Sequence, residues 1–432
     1  MSDARRAGVR RDDPLAFRNY RLFFAGQGIS LAGSWVARVA TSWAVYDLTR
    51  STWQLGLVTF VGLAPTVLLS PVAGVLADRW DRRRTLVATQ LVFMLLAAAV
   101  AGLAFADRLA VWHLFAVQLG QGIVVSLDTP ARQAFLTDMV EDRAALPRAI
   151  ALNSALFNGS RLVGPAIGGA LLAAGGVAWC FAIDALSFIA VIGSLLAMRL
   201  DAHVAPAPHA GGLRGAFGEG VAFVRASPVI RALLLLIALV GTFGAPYNTL
   251  LPAFASEQLR TGPGGYGAMT TAGGLGALAA TLLLARRRSV HGLGRWIERA
   301  LVLFGVALAM LAVVHVFWPV LAILAVLGGT LVLAAAAANT ILQTIVPDAL
   351  RGRVLALYGV AFLGSVPVGS LVAGAAAARI AATATLAAAA ACTLALALWF
   401  ARLRPMLDRE LTATYRDLGI LRPTGEHPIV EG

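Results

Sequence analysis

Polar positions in this chain are sparse and clustered, and between them lie long, nearly uninterrupted apolar runs. A helix rises about 1.5 Å per residue, so a run of about 20 such residues crosses the hydrocarbon of a bilayer, where each backbone amide must be bonded within its own segment. Twelve runs satisfy this: 20–46, 53–77, 84–105, 111–137, 147–174, 177–199, 229–255, 264–286, 294–315, 317–346, 352–378 and 381–403. The joins near 175 and 316 are the tightest. The longest interval, 200–228, is rich in Ala, Pro and Gly and separates six runs from six. Within it Leu213, Phe217, Val221 and Val224 recur at helical spacing opposite Arg214 and Arg225, which predicts a short helix lying along the membrane surface. The expected organisation is a tail (1–19), a six-helix bundle (20–199), a linker (200–228), a second six-helix bundle (229–403) and a tail (404–432). This is an all-α membrane protein of twelve transmembrane helices in two pseudo-symmetric bundles.

Composition agrees. Hydrophobic residues make up 59% of the chain and charged ones 13%, where a soluble domain carries roughly 25% charged residues. The net charge of +13 would suggest nucleic acid if the basic residues shared one face. They do not. All 35 basic residues are arginine; Arg50, Arg108, Arg260 and Arg379 fall in one set of loops and Arg38, Arg132 and Arg161 within the runs. The remainder share a side with the termini, which the positive-inside rule places in the cytoplasm. No soluble folded domain remains to bind nucleic acid. A multi-pass protein of a bacterial cytoplasmic membrane follows, with the lipid bilayer and a small-molecule substrate as partners, and monomeric.

The N-terminal "MSDARRAGVRRDDPLAFRNY" lacks a small-residue cleavage site after an apolar core, so the first helix is expected to be retained. Cys180 and Cys392 lie far apart inside apolar runs and read as small core residues, not as a disulfide or a metal knuckle. No cofactor or metal is expected. A phosphate-cradling loop would need the lysine this chain lacks, and no nucleophile and base share a recognisable arrangement, so an enzyme is not expected.

The two halves repeat. "QAFLTDMVED" followed by "RAIALNSALF" is matched by "NTILQTIVPD" followed by "RVLALYGVAF", with Val140 and Val346 separated by 206 positions and Arg148 and Arg353 by 205. Parallel copies of this kind build transporters that work around a central site.

In the loop between the second and third runs stands "GVLADRWDRRRTL", residues 74–86. It resembles the loop signature of the major facilitator superfamily, a glycine followed by Asp-Arg and then a basic cluster: Gly74, Asp78 and Arg79 match, Arg82 and Arg83 fill the basic positions, and Asp81 replaces the usual central glycine. The resemblance implies a conformational latch. Gly74 would permit close approach of a neighbouring helix, Asp78 would face the positive N-terminus of the eleventh run, and a loop arginine would bridge to an acid on the fourth, Asp138 or Asp128. "GSRLVGPAIGG", residues 159–169, resembles the packing element of proton-coupled exporters through Gly164, Pro165, Gly168 and Gly169, with Ser160 at the upstream glycine position. "GSWVARVATSWAVYDLTRS", "LNSALFNGSRLVGPAIGG" and "PDALRGRVLALY" resemble the enterobactin-exporter and macrolide-efflux branch. Where many drug antiporters carry an arginine in the fourth span, this chain has Gln118.

Ionisable groups within a bilayer need a partner or a wet cavity. Arg38, Asp128, Arg132, Arg161 and Asp184 are such groups, all in the first half. Gln27, Ser30, Ser34, Arg38 and Thr41 share one helical face, and Gln118, Gln121, Asp128 and Arg132 another, as expected of cavity walls. The second half offers Tyr247, Asn248, Asn339 and Gln343. Arg161, with Arg38 and Asn158, is the candidate grip on an anionic or hydrogen-bonding substrate, or else is salt-bridged within its bundle. Asp128 pairs with Arg132 or carries a proton; Asp184 carries a proton or orients Arg38 or Arg161. The expected activity is export of a small amphipathic molecule by alternating access, driven by a proton gradient. Import of a metabolite and a non-transporting receptor are the alternatives.

Overall fold

The computed structural model describes residues 13–140, 145–199, 213–287 and 289–417. All regular structure among them is helical: α1 Arg18–Thr49, α2 Thr52–Arg79, α3 Arg82–Phe105, α4 Val111–Met139, α5 Leu146–Ala197, α6 Leu213–Ala226, α7 Pro228–Leu239, α8 Tyr247–Ala253, α9 Gly262–Ala285, α10 Leu293–Val313, α11 Phe317–Ile345, α12 Asp348–Ile380 and α13 Ala382–Asp417. Wide π turns at Val240–Gly244 and Phe254–Gln258 flank α8, so the seventh expected run, 229–255, is a discontinuous helix. Nine helical stretches among the described residues are long and apolar enough to cross a membrane. α1 and α4, 32 and 29 residues long, are not among the nine; they carry the two polar faces, which lower their hydropathy.

α5 has 52 residues, roughly 78 Å of helix, more than twice a bilayer's hydrocarbon thickness. It breaks at Gly176, whose φ of 76° and ψ of −173° lie outside helical space, and this is the tight join expected near 175. Its counterpart 205 positions on is Ala381, between α12 and α13, with φ 74° and ψ 158°. The internal repeat thus extends to an unusual backbone shape. That region of backbone space suits glycine almost alone and costs other residues about 1–3 kcal/mol. Ala381→Gly is therefore expected to stabilise the protein by about 1 kcal/mol, read as a higher thermal midpoint in detergent; an unchanged or lower midpoint would contradict it.

The chain divides into two compact units. The first comprises Met1–Arg50, Val61–His209 and Gly262–Ala268, the second Ser51–Phe60, Ala210–Thr261 and Met269–Gly432. In the first unit Tyr20, Phe23, Leu86, Phe93, Phe135 and Phe188 anchor a buried core, with the Phe93 and Phe188 rings stacked at 5.8 Å. The Tyr20 hydroxyl donates to the Ala149 carbonyl at 2.9 Å. In the second unit the linker helix α6 sits on the start of α12 through the Glu219 and Arg353 ion pair, and Gly220 lies under Arg353.

Two features differ from the sequence reading. The helix expected to end near 403 runs on to Asp417, held by Arg404 on Glu298 at 2.5 Å and by buried Leu407 and Leu411. Cys180 is buried, but Cys392 is exposed and is not a core residue. A short apolar side chain on a lipid-facing helix surface has the same sequence signature as one in a core.

Candidate functional site

α1 lies against the second half of α5 through small residues set seven apart. A Cβ on Gly26 would stand 2.5 Å from the Ser194 Oγ, and one on Gly33 would clash with Ser187. The first half of α5 packs on the same helix, Gly164 against Trp35 and Gly168 against Val36. Small residues let helices approach where lipid supplies no hydrophobic drive between them. This contact fixes α1 relative to α5 and so positions two cations.

Arg38 on α1 and Arg161 on α5 are close enough to repel each other. The Arg38 guanidinium lies 4.6 Å from the Trp35 ring centre. Tyr266, from the start of α9, faces Arg38, bonds the Ser42 side chain, and stacks on Trp43 at 6.1 Å. Arg38 is exposed and Arg161 half-buried, and among the described residues neither has a carboxylate within ion-pairing distance. The two guanidiniums come from α1 and α5, with Tyr266 of α9 beside Arg38. Among the described residues Arg161 makes no salt bridge within its bundle.

Asp184 is buried, and its one side-chain partner among the described residues is the Ser34 hydroxyl at 3.3 Å. It does not orient Arg38 or Arg161. Asp128, also buried, accepts from Thr89 at 2.8 Å and Gln90 at 2.7 Å and pairs with Arg132 one turn on. It ties α3 to α4 and is satisfied on both oxygens.

The latch residues have separate positions. Arg82 bridges to Asp138 at 2.9 Å, while Asp128 pairs with Arg132. Arg83 donates to the Leu196 carbonyl at 2.8 Å and Arg18 to that of Ala197 at 3.0 Å, so two cations meet the negative end of α5. Among the described residues nothing stands within 4 Å of a Cβ built on Gly74. The side chains of Asp78, Arg79 and Asn158 lie outside the described residues.

The packing element is more specific. Pro165 is buried, and Gly169 meets Gly267 of α9 so closely that a Cβ would stand 2.5 Å from its Cα. At the same 205-residue offset, "VGSLVAG" follows "VGPAIGG". Gly369, matching Gly164, presses on the Thr242 carbonyl, and Gly374, matching Gly169, would place a Cβ 2.9 Å from the Cα of Gly56. Gly62 on α2 contacts Gly122 on α4, and Gly273 on α9 contacts Gly328 on α11, in the same repeated sense.

In the second unit Tyr247 is 4% exposed and meets Phe304 edge to face at 6.0 Å. It is core, not cavity wall. Asn248 and Gln343 are exposed and Asn339 half-buried. In the first unit Gln27 is buried, while Gln118, beside Gly62, and Gln121 are half-buried.

Residues 12–416 match the family described as transmembrane secretion effector, a branch of the major facilitator superfamily. The chain belongs to this family. Its members are transporters, not enzymes, and the chain is a multi-pass membrane protein in contact with lipid and a small-molecule substrate. It is 28% identical to a staphyloferrin A transporter of Staphylococcus aureus over 82% of this chain and 88% of that one. It is 26% identical to the multidrug efflux pump Tap of Mycolicibacterium fortuitum, over 79% and 85%, and 30% identical to the enterobactin exporter EntS of Shigella boydii, over 78% and 80%. Among solved structures it resembles a POT family transporter in complex with a thioalcohol-conjugated peptide, with a TM-score of 0.71, 12% identity and coverage of 90% and 96%. The nucleoside transporter NupG gives a TM-score of 0.67 at 15% identity, over 89% and 98%. These two likenesses concern the fold.

Sequence reasoning about this transporter missed Trp35, Ser42, Trp43 and Tyr266 around the arginines, and Gly56, Gly267, Gly369 and Gly374. The glycines had a legible signal, the 205-residue offset carried past Arg353. Tyr266 had none, since its role depends on where α9 begins relative to α1.

Proposed function

We propose that this transporter exports an anionic, amphipathic small molecule, of the siderophore or drug-like class, in exchange for protons. The observation that carries the reading is the pair of unneutralised guanidiniums, Arg38 and Arg161, beside Trp35 and Tyr266. Cations bind the charge; the aromatic rings receive the apolar part. The cargo for which its relatives are named, staphyloferrin A and enterobactin beside a multidrug pump, supports that class. Twelve spans are proposed, α5 counting as two across Gly176 and α1 and α4 as one each. Both termini are assigned to the cytoplasm of a bacterium from the arginine distribution, and the unit of function is a monomer.

Asp184 is the proposed proton carrier, because a buried carboxylate held by one hydroxyl can lose or gain a proton without breaking an ion pair. Asp128, fixed by Arg132, Thr89 and Gln90, is proposed as a structural anion. The Arg82 and Asp138 bridge is proposed as the standing half of the loop latch, with Gly74 and Asp78 engaging in the alternate state of the transport cycle. The test is flux in inverted vesicles carrying the purified chain, with enterobactin as probe and an imposed proton gradient. Gradient-dependent accumulation is expected. Accumulation in right-side-out vesicles alone would overturn export, and accumulation indifferent to the gradient would overturn proton coupling.

A further inference from the structure

Arg82, Arg83 and Arg84 are consecutive, and among the described residues the guanidiniums of the first two are engaged, Arg82 with Asp138 and Arg83 with the Leu196 carbonyl. Among the described residues no carboxylate lies within ion-pairing distance of the Arg84 guanidinium. Arg84 stands instead at one end of a groove of about 580 Å³ between α3 and α4, beside the exposed Trp80 and above a floor of Ala88, Val92, Val124 and Leu127. Three further polar side chains on its wall are engaged. Asp81 caps α3 by accepting from the Arg84 amide at 2.7 Å, Thr85 donates to the Asp81 carbonyl and Thr89 to Asp128.

We propose that this groove holds an anionic phospholipid, with its phosphate on Arg84 and an acyl chain along the apolar floor. Charge complementarity favours that occupant: among the described residues Arg84 on the groove wall has no ion-pair partner, and the segment Arg79–Arg84 carries four arginines against one aspartate. Clusters of basic residues next to a span draw anionic headgroups in this way. The dimensions also fit. From Arg84 to Val92 the floor runs about 12 Å along α3, most of the roughly 15 Å of hydrocarbon in one leaflet. Trp80 at the mouth sits where amphipathic rings collect, at the headgroup level. The lipid would brace the start of α3, the helix whose first residue, Arg82, forms the Asp138 bridge and whose Thr89 and Gln90 hold Asp128. The site is separate from the arginine pair and does not depend on the identity of the exported molecule.

Native mass spectrometry of the full chain in detergent tests this, with dioleoyl phosphatidylglycerol, dioleoyl phosphatidylcholine and glycerol 3-phosphate as separate probes. Retention of phosphatidylglycerol about fivefold above phosphatidylcholine is expected. That preference is lost in Arg84→Gln, retention of both lipids falls in Ala88→Trp, which fills the floor but keeps the charge, and Arg108→Gln behaves as the native chain. Equal retention of the two lipids by the native chain, or an undiminished preference in Arg84→Gln, overturns the proposal. Glycerol 3-phosphate binding as well as the lipid would show a headgroup site without an acyl groove and overturns it equally.

Discussion

Arg161→Ala is expected to lower gradient-driven enterobactin accumulation in inverted vesicles at least tenfold while raising the thermal midpoint of the protein. Both signs follow from the same geometry. A hydrogen bond to a charged group contributes about 1.5–3 kcal/mol, which is about tenfold or more in substrate affinity, and the other arginine of α5, Arg148, lies roughly 20 Å away along the helix. The folded protein, by contrast, loses a like-charge neighbour of Arg38. A structural arginine would behave oppositely, since removing half of a buried ion pair destabilises. Arg161→Lys should transport at an intermediate level, because a point charge keeps the attraction but loses the planar fork of donors. Unchanged flux in Arg161→Ala, or a fall in its thermal midpoint, would remove the arginine pair from the substrate path.

Asp128→Ala is expected to have the largest effect on stability, about 3 kcal/mol, at the lower end of what breaking a buried pair costs. Three donors lose their acceptor together: Thr89, Gln90 and Arg132. The Arg132 side chain remains a quarter exposed, so water recovers part of its solvation, and this holds the cost down. Asp128→Asn keeps an oxygen for Thr89 and Gln90 and should lose about half as much. Thermal unfolding and the yield of monodisperse protein in detergent measure both. If Asp128→Asn proved as costly as alanine, the charge on Asp128 and not its acceptor geometry would hold α3 to α4.

The glycine pairs show how sequence and structure divide the work. An offset of 205 residues locates Gly164 with Gly369 and Gly169 with Gly374 on paper, and the backbone confirms it through Gly176 and Ala381. What each glycine touches was not on paper. For Gly74, whose spacing within a loop signature suggested close packing, no described residue stands within 4 Å of a Cβ built there. Tyr247 and Cys392 were misplaced because, in a lipid-facing protein, apolarity no longer separates the inside from the outside. The same residue types serve both surfaces.

The sequence by itself determined the solvent and the repeat. Runs of about 20 apolar residues leave the backbone no option but helix in hydrocarbon, arginines sort by loop, and two copies of one pattern lie 205 positions apart. Tertiary structure alone decided which charges are neutralised. Asp128 and Arg132 found each other within one helix, Arg82 found Asp138 across 56 positions, and Arg38 and Arg161 were left without a carboxylate partner among the described residues. Ion pairing depends on separations of a few ångströms between side chains far apart in the chain. Helical period gives the face a residue occupies but not the neighbour packed against it.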